Sequence, residues 1–117
     1  MAELSTLARP YAKAAFEYAM EAGDLQGWSD SLGTVSSVAK QSSVDQLLSS
    51  PSSTASEQAA ALTGICGESL SSAGKNFICI LSENRRLKLL PQIAHQFEIM
   101  KANQEKAIEV DVASAQP

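Results

Sequence analysis

The segment from Leu4 to Ala22 constrains the fold most strongly, because it has more apolar surface than a single core requires. On a helix, at about 100° per residue, its apolar residues form two stripes. The first stripe consists of Leu7, Tyr11, Ala14 and Tyr18, and the second of Ala8, Ala12, Phe16, Ala19 and Met20. A surface helix usually has one apolar arc, about 100° wide. The helix is therefore either buried on most sides, or it buries one stripe and offers the other to a partner.

Length and charge limit what such a chain can do. The 117 residues suffice for one domain with a real core and not for two. A formal net charge of −4 argues against nucleic-acid binding by bulk electrostatics. No apolar run approaches the roughly 18 residues of a membrane span, and the N-terminus lacks a secretory signal. We therefore expect a single module that does not insert directly into a membrane.

Helical periodicity and capping residues predict six helices. Gly23 suits the end of the first helix, which begins near Ser5 or Thr6, and Thr54 with Glu57 forms a capping box before the fourth. The other predicted helices run from about 25 to 40, 44 to 49, 55 to 66, 72 to 86 and 87 to 104. The sequence thus predicts an all-α protein, a six-helix bundle over residues 1–105 with a short extended C-terminal tail.

The fifth helix repeats the pattern of the first. One flank carries Gly74, Phe77, Ile78 and Leu81, and the adjacent flank carries Ala73, Asn76, Ile80 and Leu87, with Glu83 at its edge. Gly74 and the alanines of the first helix permit close helix packing. We expect the first and fifth helices to lie side by side and to leave a shallow groove that accepts an amphipathic helix.

The C-terminal tail has a different period. Ile108, Val110 and Val112 alternate with polar or small residues, as in a strand, although no other segment offers a pairing partner. We interpret residues 106–117 as a linker and the start of a further, β-containing domain. A disordered tail is the alternative.

No residue pattern predicts a catalytic, cofactor-binding or metal site. His95 is the only histidine, and Cys66 and Cys79 are too far apart for a metal knuckle or a redox pair, which leaves them as small apolar residues of a reducing compartment. The basic cluster 85–88 falls at the predicted end of the fifth helix, where cations favour the macrodipole. Contact with RNA is the alternative for this cluster, but no aromatic residues are interleaved for base stacking.

Several motifs resemble the delta subunit of bacterial F-type ATP synthases, a relative of the mitochondrial oligomycin-sensitivity-conferring protein. The motifs are LARPYAKAAFEYA (7–19), Trp28, ICGE (65–68), NFICILSENRRLKLLPQI (76–93) and EVDVASA (109–115). The resemblance implies a six-helix N-terminal domain followed by an α/β domain. It also implies a non-catalytic peripheral-stalk subunit in proton-driven ATP synthesis, a monomer when isolated, peripheral on the cytoplasmic face of the bacterial inner membrane.

The resemblance further implies the partners. The N-terminal helix of an alpha subunit is expected between the first and fifth helices, and b subunits on the missing C-terminal domain. The resemblance supplies Tyr11, Ala14, Asn76 and Ile80 as binding residues, and helix geometry adds Leu7, Tyr18, Ala73 and Glu83. For each of these residues, core packing is the alternative role. For the chain, the alternative is an unrelated helical adaptor that binds another amphipathic helix.

Overall fold

Six α-helices make up the part of the chain that the structure describes. The computed structural model describes the backbone of residues 2–114 and the side chains of residues 4–67 and 69–106. The helices are α1 (Ala2–Ala22), α2 (Leu25–Ala39), α3 (Ser42–Ser49), α4 (Ala55–Cys66), α5 (Ser72–Glu83) and α6 (Leu90–Ser114). Short 3₁₀ turns cover Gly67–Ser69 and Leu87–Leu89. The predicted all-α, six-helix fold is confirmed.

Local capping sets two of the predicted helix boundaries. Gly23 follows α1 in the left-handed conformation, with φ of 66°, and the N–H of Asp24 donates to the Ala19 carbonyl at 2.9 Å. At the start of α4, the hydroxyl of Thr54 accepts from the N–H of Glu57 at 3.1 Å. The Glu57 carboxylate accepts in return from the N–H of Thr54 at 2.9 Å. Both boundaries match the prediction because short-range hydrogen bonds determine them.

The helix α5 ends at Glu83, before the predicted end at Arg86. Arg85 takes the left-handed conformation with φ of 57°, and the N–H of Arg86 donates to the Leu81 carbonyl at 2.7 Å. The guanidinium of Arg85 donates to the carbonyl of Ser53 at 2.9 Å. Arg85 therefore occupies the left-handed position at the helix end that glycine usually occupies. Sequence periodicity alone did not indicate this conformation.

Two further local predictions were wrong. The helix α1 begins at Ala2 and not near Ser5 or Thr6, so Pro10 lies inside the helix and removes one backbone donor there. Leu87, which the wheel placed on the second flank of α5, lies in the 3₁₀ turn after that helix and is only 2% exposed. Its side chain belongs to the core.

The core lies where α1, α2 and α6 meet, and α4 and α5 close it from one side. The second stripe of α1 supplies three alanines with no exposed surface: Ala8, Ala12 and Ala19. The largest fully buried side chains include Leu62, Ile78, Leu81, Leu90, Ile93 and Phe97. Because alanines let helix axes approach closely, α6 packs tightly along α1. The second stripe of α1 is thus mainly core, although Met20 is exposed. In the first stripe, Leu7, Ala14 and Tyr18 are exposed, whereas Tyr11 packs against the core.

The helices α1 and α6 run in the same direction, since Ser5 near the start of α1 lies beside Gln96, whereas Met20 near its end shares a cavity with Lys101 and Glu105. Near the start of α1, the side chain of Gln96 donates to the carbonyl of Ser5 at 2.8 Å. Farther along, the rings of Phe16 and Phe97 meet edge to face with centroids 5.8 Å apart. These contacts fix the register of α6 along α1, so α6 passes the end of α1 on its way to Ser114.

The predicted extended tail is helical instead. The helix α6 continues past its predicted end at Gln104 through the segment 108–113, which was expected to be a strand. An isolated strand leaves its N–H and C=O groups without partners, whereas a helix pairs them within the segment. With no second strand among the described residues, a two-residue apolar period is too weak a signal to override this. The last residues of the predicted tail, 115–117, lie outside the described part of the chain.

Candidate partner-binding groove

The first stripe of α1 and the outer flank of α5 face each other across a cavity of about 470 Å³. We call this feature the α1–α5 groove. It is lined by Ala14, Ala15, Tyr18, Trp28, Ser72, Ala73, Asn76, Phe77 and Ile80. The lining is mainly apolar, with small residues on both walls. A groove of this shape and composition fits the apolar face of a helix.

The floor of the groove is aromatic. Trp28, near the start of α2, lies 5.4 Å from the ring of Tyr18 in α1 and 5.7 Å from the ring of Phe77 in α5. The ring of Trp28 meets that of Phe77 edge to face, an arrangement that aromatic pairs favour. This chain of three rings holds the two walls at a fixed separation and keeps the backbones of α1 and α5 apart. The groove is therefore formed by the packing of the bundle itself.

The two walls run in opposite directions. The 3₁₀ turn Leu87–Leu89 packs against α1 and leads into α6, where the side chain of Gln96 reaches Ser5 near the start of α1. The end of α5 lies against this turn, whereas its middle residue Phe77 shares Trp28 with Tyr18, near the end of α1. The helix α5 therefore runs from the end of α1 towards its start.

Five of the eight residues expected at the site line the groove: Ala14, Tyr18, Ala73, Asn76 and Ile80. Tyr18 and Ile80 are 51% and 42% exposed, unusually high values for large apolar side chains that face a cavity. Asn76 is also exposed and supplies a polar group on the α5 wall. The structure thus brings together residues that lie almost sixty positions apart in the sequence.

The other three expected residues do not line the cavity. Leu7 is 42% exposed and lies two helical turns before Ala14, on the continuation of the same stripe. Tyr11 is half-buried and packs against the core, and its role in partner binding stays a prediction. Glu83 borders a separate cavity of about 80 Å³ between α4 and α5.

Four lining residues were missed by the sequence analysis: Ala15, Trp28, Ser72 and Phe77. Phe77 was assigned to the core flank, and at 9% exposure it serves both the core and the groove. Trp28 belongs to α2, and a wheel drawn for one helix does not show which residue of a neighbour fills the space beneath it. The short link between α1 and α2 was the available signal, since it places the start of α2 beside the end of α1.

Two other surface cavities are weaker candidates for a binding site. A cavity of about 400 Å³ beside the α1–α2 link includes Met20, Lys101 and Glu105, and the hydrogen bond from Lys101 to Glu105 raises the pKa of that lysine. Another, of about 420 Å³ between α1 and α6, includes the exposed His95, as expected for a surface histidine. Neither is floored by buried aromatic rings.

The described residues form no metal-ligating cluster, and their two cysteines differ in burial. Within residues 2–114, no group of three His, Cys, Asp or Glu side chains is placed to hold a metal ion. Cys66 is buried and Cys79 is exposed, and both are free thiols. Burial raises the pKa of the Cys66 thiol, which lowers its reactivity. None of the described helices is long and apolar enough to cross a bilayer.

Comparison with known proteins places the chain among relatives of similar sequence. Residues 7–117 match the family model of the ATP synthase delta (OSCP) subunit. The chain is 54% identical over 115 residues to ATP synthase subunit delta of Teredinibacter turnerae, covering 98% of this chain and 65% of that protein. It is 48% identical over 117 residues to ATP synthase subunit delta of Thioalkalivibrio sulfidiphilus, covering 100% of this chain and 66% of that protein.

These relatives are longer than the chain, which spans about two thirds of their length. The motif that carries the first stripe of α1 and the motif that forms α5 both lie within the matched region. The match therefore includes both walls of the α1–α5 groove. On this evidence, the chain belongs to the ATP synthase delta (OSCP) subunit family.

Proposed function

We propose that the chain is the helical part of a non-catalytic peripheral-stalk subunit that links the catalytic head of an F-type ATP synthase to its membrane sector. Its role is mechanical. A rotor exerts torque on the head during proton-driven ATP synthesis, and a stator must hold the head still. Family membership supports this role.

The proposed partner in the head is the N-terminal helix of an alpha subunit, bound in the α1–α5 groove. The observation that carries this proposal is the open apolar groove itself, in which Tyr18 and Ile80 remain about half exposed although they flank a buried tryptophan. A docked amphipathic helix would remove this surface from water, at about 25 cal/mol per Å² of apolar area. Long-lived binding suits a stator, because affinity differences between related complexes arise mostly in the dissociation rate.

The rest of the assembly is proposed by the same reasoning. The b subunits would bind a second domain beyond the end of this chain, and the whole would be peripheral on the cytoplasmic face of the bacterial inner membrane. We also propose that residues 1–105 form the domain and that residues 106–117 lead into the next one. Family membership argues against an unrelated adaptor. The Arg85 contact with Ser53 gives the basic cluster a structural role without RNA.

The test is an NMR titration of the chain with a synthetic peptide of the alpha subunit's N-terminal helix. Saturable amide shifts confined to α1, the start of α2 and α5 are expected. Ala14→Asp should weaken binding at least tenfold, because it places a charge on the apolar wall, where Ala14 is exposed and its replacement leaves the core intact.

The matched control is Ala60→Asp, the same change at an exposed position of α4 outside the groove. It should leave the dissociation constant unchanged. Circular dichroism and thermal melting should show that both variants fold like the parent chain. Shifts that map to another face would move the site, and a peptide that does not bind at high concentration would refute the proposed partner.

A further inference from the structure

One polar group on the floor of the α1–α5 groove has no hydrogen-bond partner among the described residues. The side chain of Trp28 is only 6% exposed, and its ring lies against the rings of Tyr18 and Phe77. Its indole N–H donates to no described residue. A buried tryptophan usually pairs this N–H. The unpaired donor therefore points to an acceptor outside the bundle.

The indole N–H of Trp28 opens into the groove. Among the described residues, every fully enclosed nitrogen or oxygen atom of a buried or half-buried side chain has a hydrogen-bond partner. The unpaired indole nitrogen therefore belongs to the small part of Trp28 that remains accessible. Because Trp28 lines the α1–α5 groove, this accessible part faces the space that a partner would fill.

The other lining residues limit the chemistry that this donor can meet. None of the described residues that line the groove is charged. A carboxylate that a partner brought there would lose its water without gaining a counter-charge. Ser72 and Asn76, one helical turn apart on α5, add a hydroxyl and an amide, both neutral. These surroundings favour a neutral oxygen atom as the acceptor.

A helical partner has to offer this oxygen from a side chain. Inside an α-helix each backbone carbonyl already accepts from the N–H four residues later, and only the last turn leaves carbonyls unpaired. The side chains of asparagine, glutamine, serine and threonine carry neutral oxygen acceptors. A helix with no such side chain on its inner face would cover the indole N–H and leave it without water or partner, which lowers affinity.

We propose that the occupant of the α1–α5 groove is an amphipathic helix with one amide or hydroxyl side chain within its apolar face, which accepts a hydrogen bond from the indole N–H of Trp28. The apolar walls supply most of the affinity. The hydrogen bond sets the register of the helix along the groove and disfavours helices whose inner face is entirely apolar. This inference rests on the proposed function, because it specifies the partner of that same groove.

The experiment removes the N–H alone. Because Trp28 is the only tryptophan, Trp28→benzothienylalanine replaces its N–H by a sulfur atom, keeps the shape of the ring and alters no other residue. Calorimetry should show that this variant binds the alpha-subunit peptide about tenfold more weakly, since a buried acceptor loses its donor. The control variant Ser37→Ala removes an exposed hydroxyl of α2 outside the groove and should bind like the parent chain.

Variants of the peptide identify the acceptor. Each amide or hydroxyl residue on the apolar face of the peptide is replaced in turn by an apolar residue of similar shape. One replacement should weaken binding to the parent chain about tenfold. The same replacement should cause no further loss with the Trp28 variant, because both changes remove one and the same hydrogen bond.

A second measurement uses the parent chain and does not depend on how the variant folds. The indole N–H gives a single NMR cross-peak, which should move and exchange more slowly with water when the peptide saturates the groove. If the parent binds the peptide but the variant binds equally well, or no peptide replacement weakens binding, or the N–H exchanges as fast as before, the hydrogen bond is wrong while the groove stands. If the parent does not bind the peptide, the proposed partner fails, and this inference fails with it.

Discussion

Tyr18 combines two environments in one side chain. Its ring lies against Trp28 at 5.4 Å, yet 51% of its surface is exposed. Tyrosine suits this position, because a tyrosine ring can pack against the tilted ring of Trp28 and still present apolar area and a polar hydroxyl to a partner. Residues that bury further area at little entropic cost tend to dominate binding. At the residue scale, Tyr18 is therefore the strongest single candidate for an anchor.

The two cysteines should differ sharply in reactivity. Cys79 is exposed on α5, whereas Cys66 is buried and its pKa is raised by burial. A thiol-reactive disulfide reagent at pH 8 should modify the exposed Cys79 in a fast phase. It should modify Cys66 only in a slow phase, as the protein unfolds. Cys79→Ser should abolish the fast phase and leave the slow one. Two equally fast phases would contradict the buried position of Cys66.

The same pKa shift has a defined sign for stability. A thiol whose pKa is higher in the folded state holds its proton longer there than in the unfolded chain. Folding therefore gains from the neutral thiol below its ordinary value of 9.0, and this gain is lost as the pH rises through that value and above it. Cys66→Ala should remove the corresponding alkaline loss, measured by denaturant unfolding between pH 8 and pH 10.

At the scale of the element, α2 contains a glycine that lowers the stability of the helix. Gly33 lies in the middle of α2 and is exposed, and a Cβ built there meets no other atom within 4 Å. Gly33→Ala should stabilise the protein by about 1 kcal/mol through helix propensity, which raises the melting temperature by about 4 °C. The measurement is thermal unfolding followed by circular dichroism.

Gly23 provides the matched control for that substitution. Its φ of 66° belongs to the left-handed turn that ends α1, which a Cβ disfavours by about 1 kcal/mol. Gly23→Ala should therefore lower the melting temperature, although a Cβ there meets nothing within 4 Å either. If both variants shifted stability in the same direction, backbone conformation would not be the cause.

Elements differ in how much the sequence reveals about them. The Thr54 and Glu57 capping box and the Gly23 terminator were predicted correctly because hydrogen bonds within a few residues decide them. The end of α5 was not predicted correctly, because nothing in the sequence indicates that Arg85 adopts a left-handed conformation. The tail at 108–113 was assigned to a strand from its two-residue period, but whether a strand forms depends on a partner strand elsewhere.

The residues of the α1–α5 groove also differ in whether the sequence predicts them. Ala14, Tyr18, Ala73, Asn76 and Ile80 could be found because surplus apolar residues on a helix have a visible period. Trp28 and Phe77 could not be assigned to the groove in this way, because their place depends on how three helices pack around one ring. Periodicity identifies the walls of such a site, and only tertiary packing identifies its floor.

At the scale of the whole molecule, α6 makes the protein elongated. The radius of gyration is 15.5 Å and the longest dimension is 62 Å, whereas a compact domain of this length has a radius near about 13 Å. The helix α6 has 25 residues, about 37 Å at 1.5 Å per residue. The groove is built by α1, α2 and α5, on a part of the bundle that does not depend on the last turns of α6.

A chain ending at Lys106 tests that independence. Removing residues 107–117 should lower the radius of gyration measured by small-angle scattering, because it shortens α6 by the helical residues 107–114. The dissociation constant for the alpha-subunit peptide should change by less than twofold. A large loss of affinity would mean that the end of α6 takes part in the groove or supports its walls.

The position of the single tryptophan has an optical consequence. Trp28 is 6% exposed on the floor of the groove, between Tyr18 and Phe77. A docked helix would exclude the remaining water above the indole and shift its emission to shorter wavelength, whereas unfolding would expose the indole and shift the emission to longer wavelength. One intrinsic fluorophore thus distinguishes an occupied groove from an unfolded bundle, without any label attached to either partner.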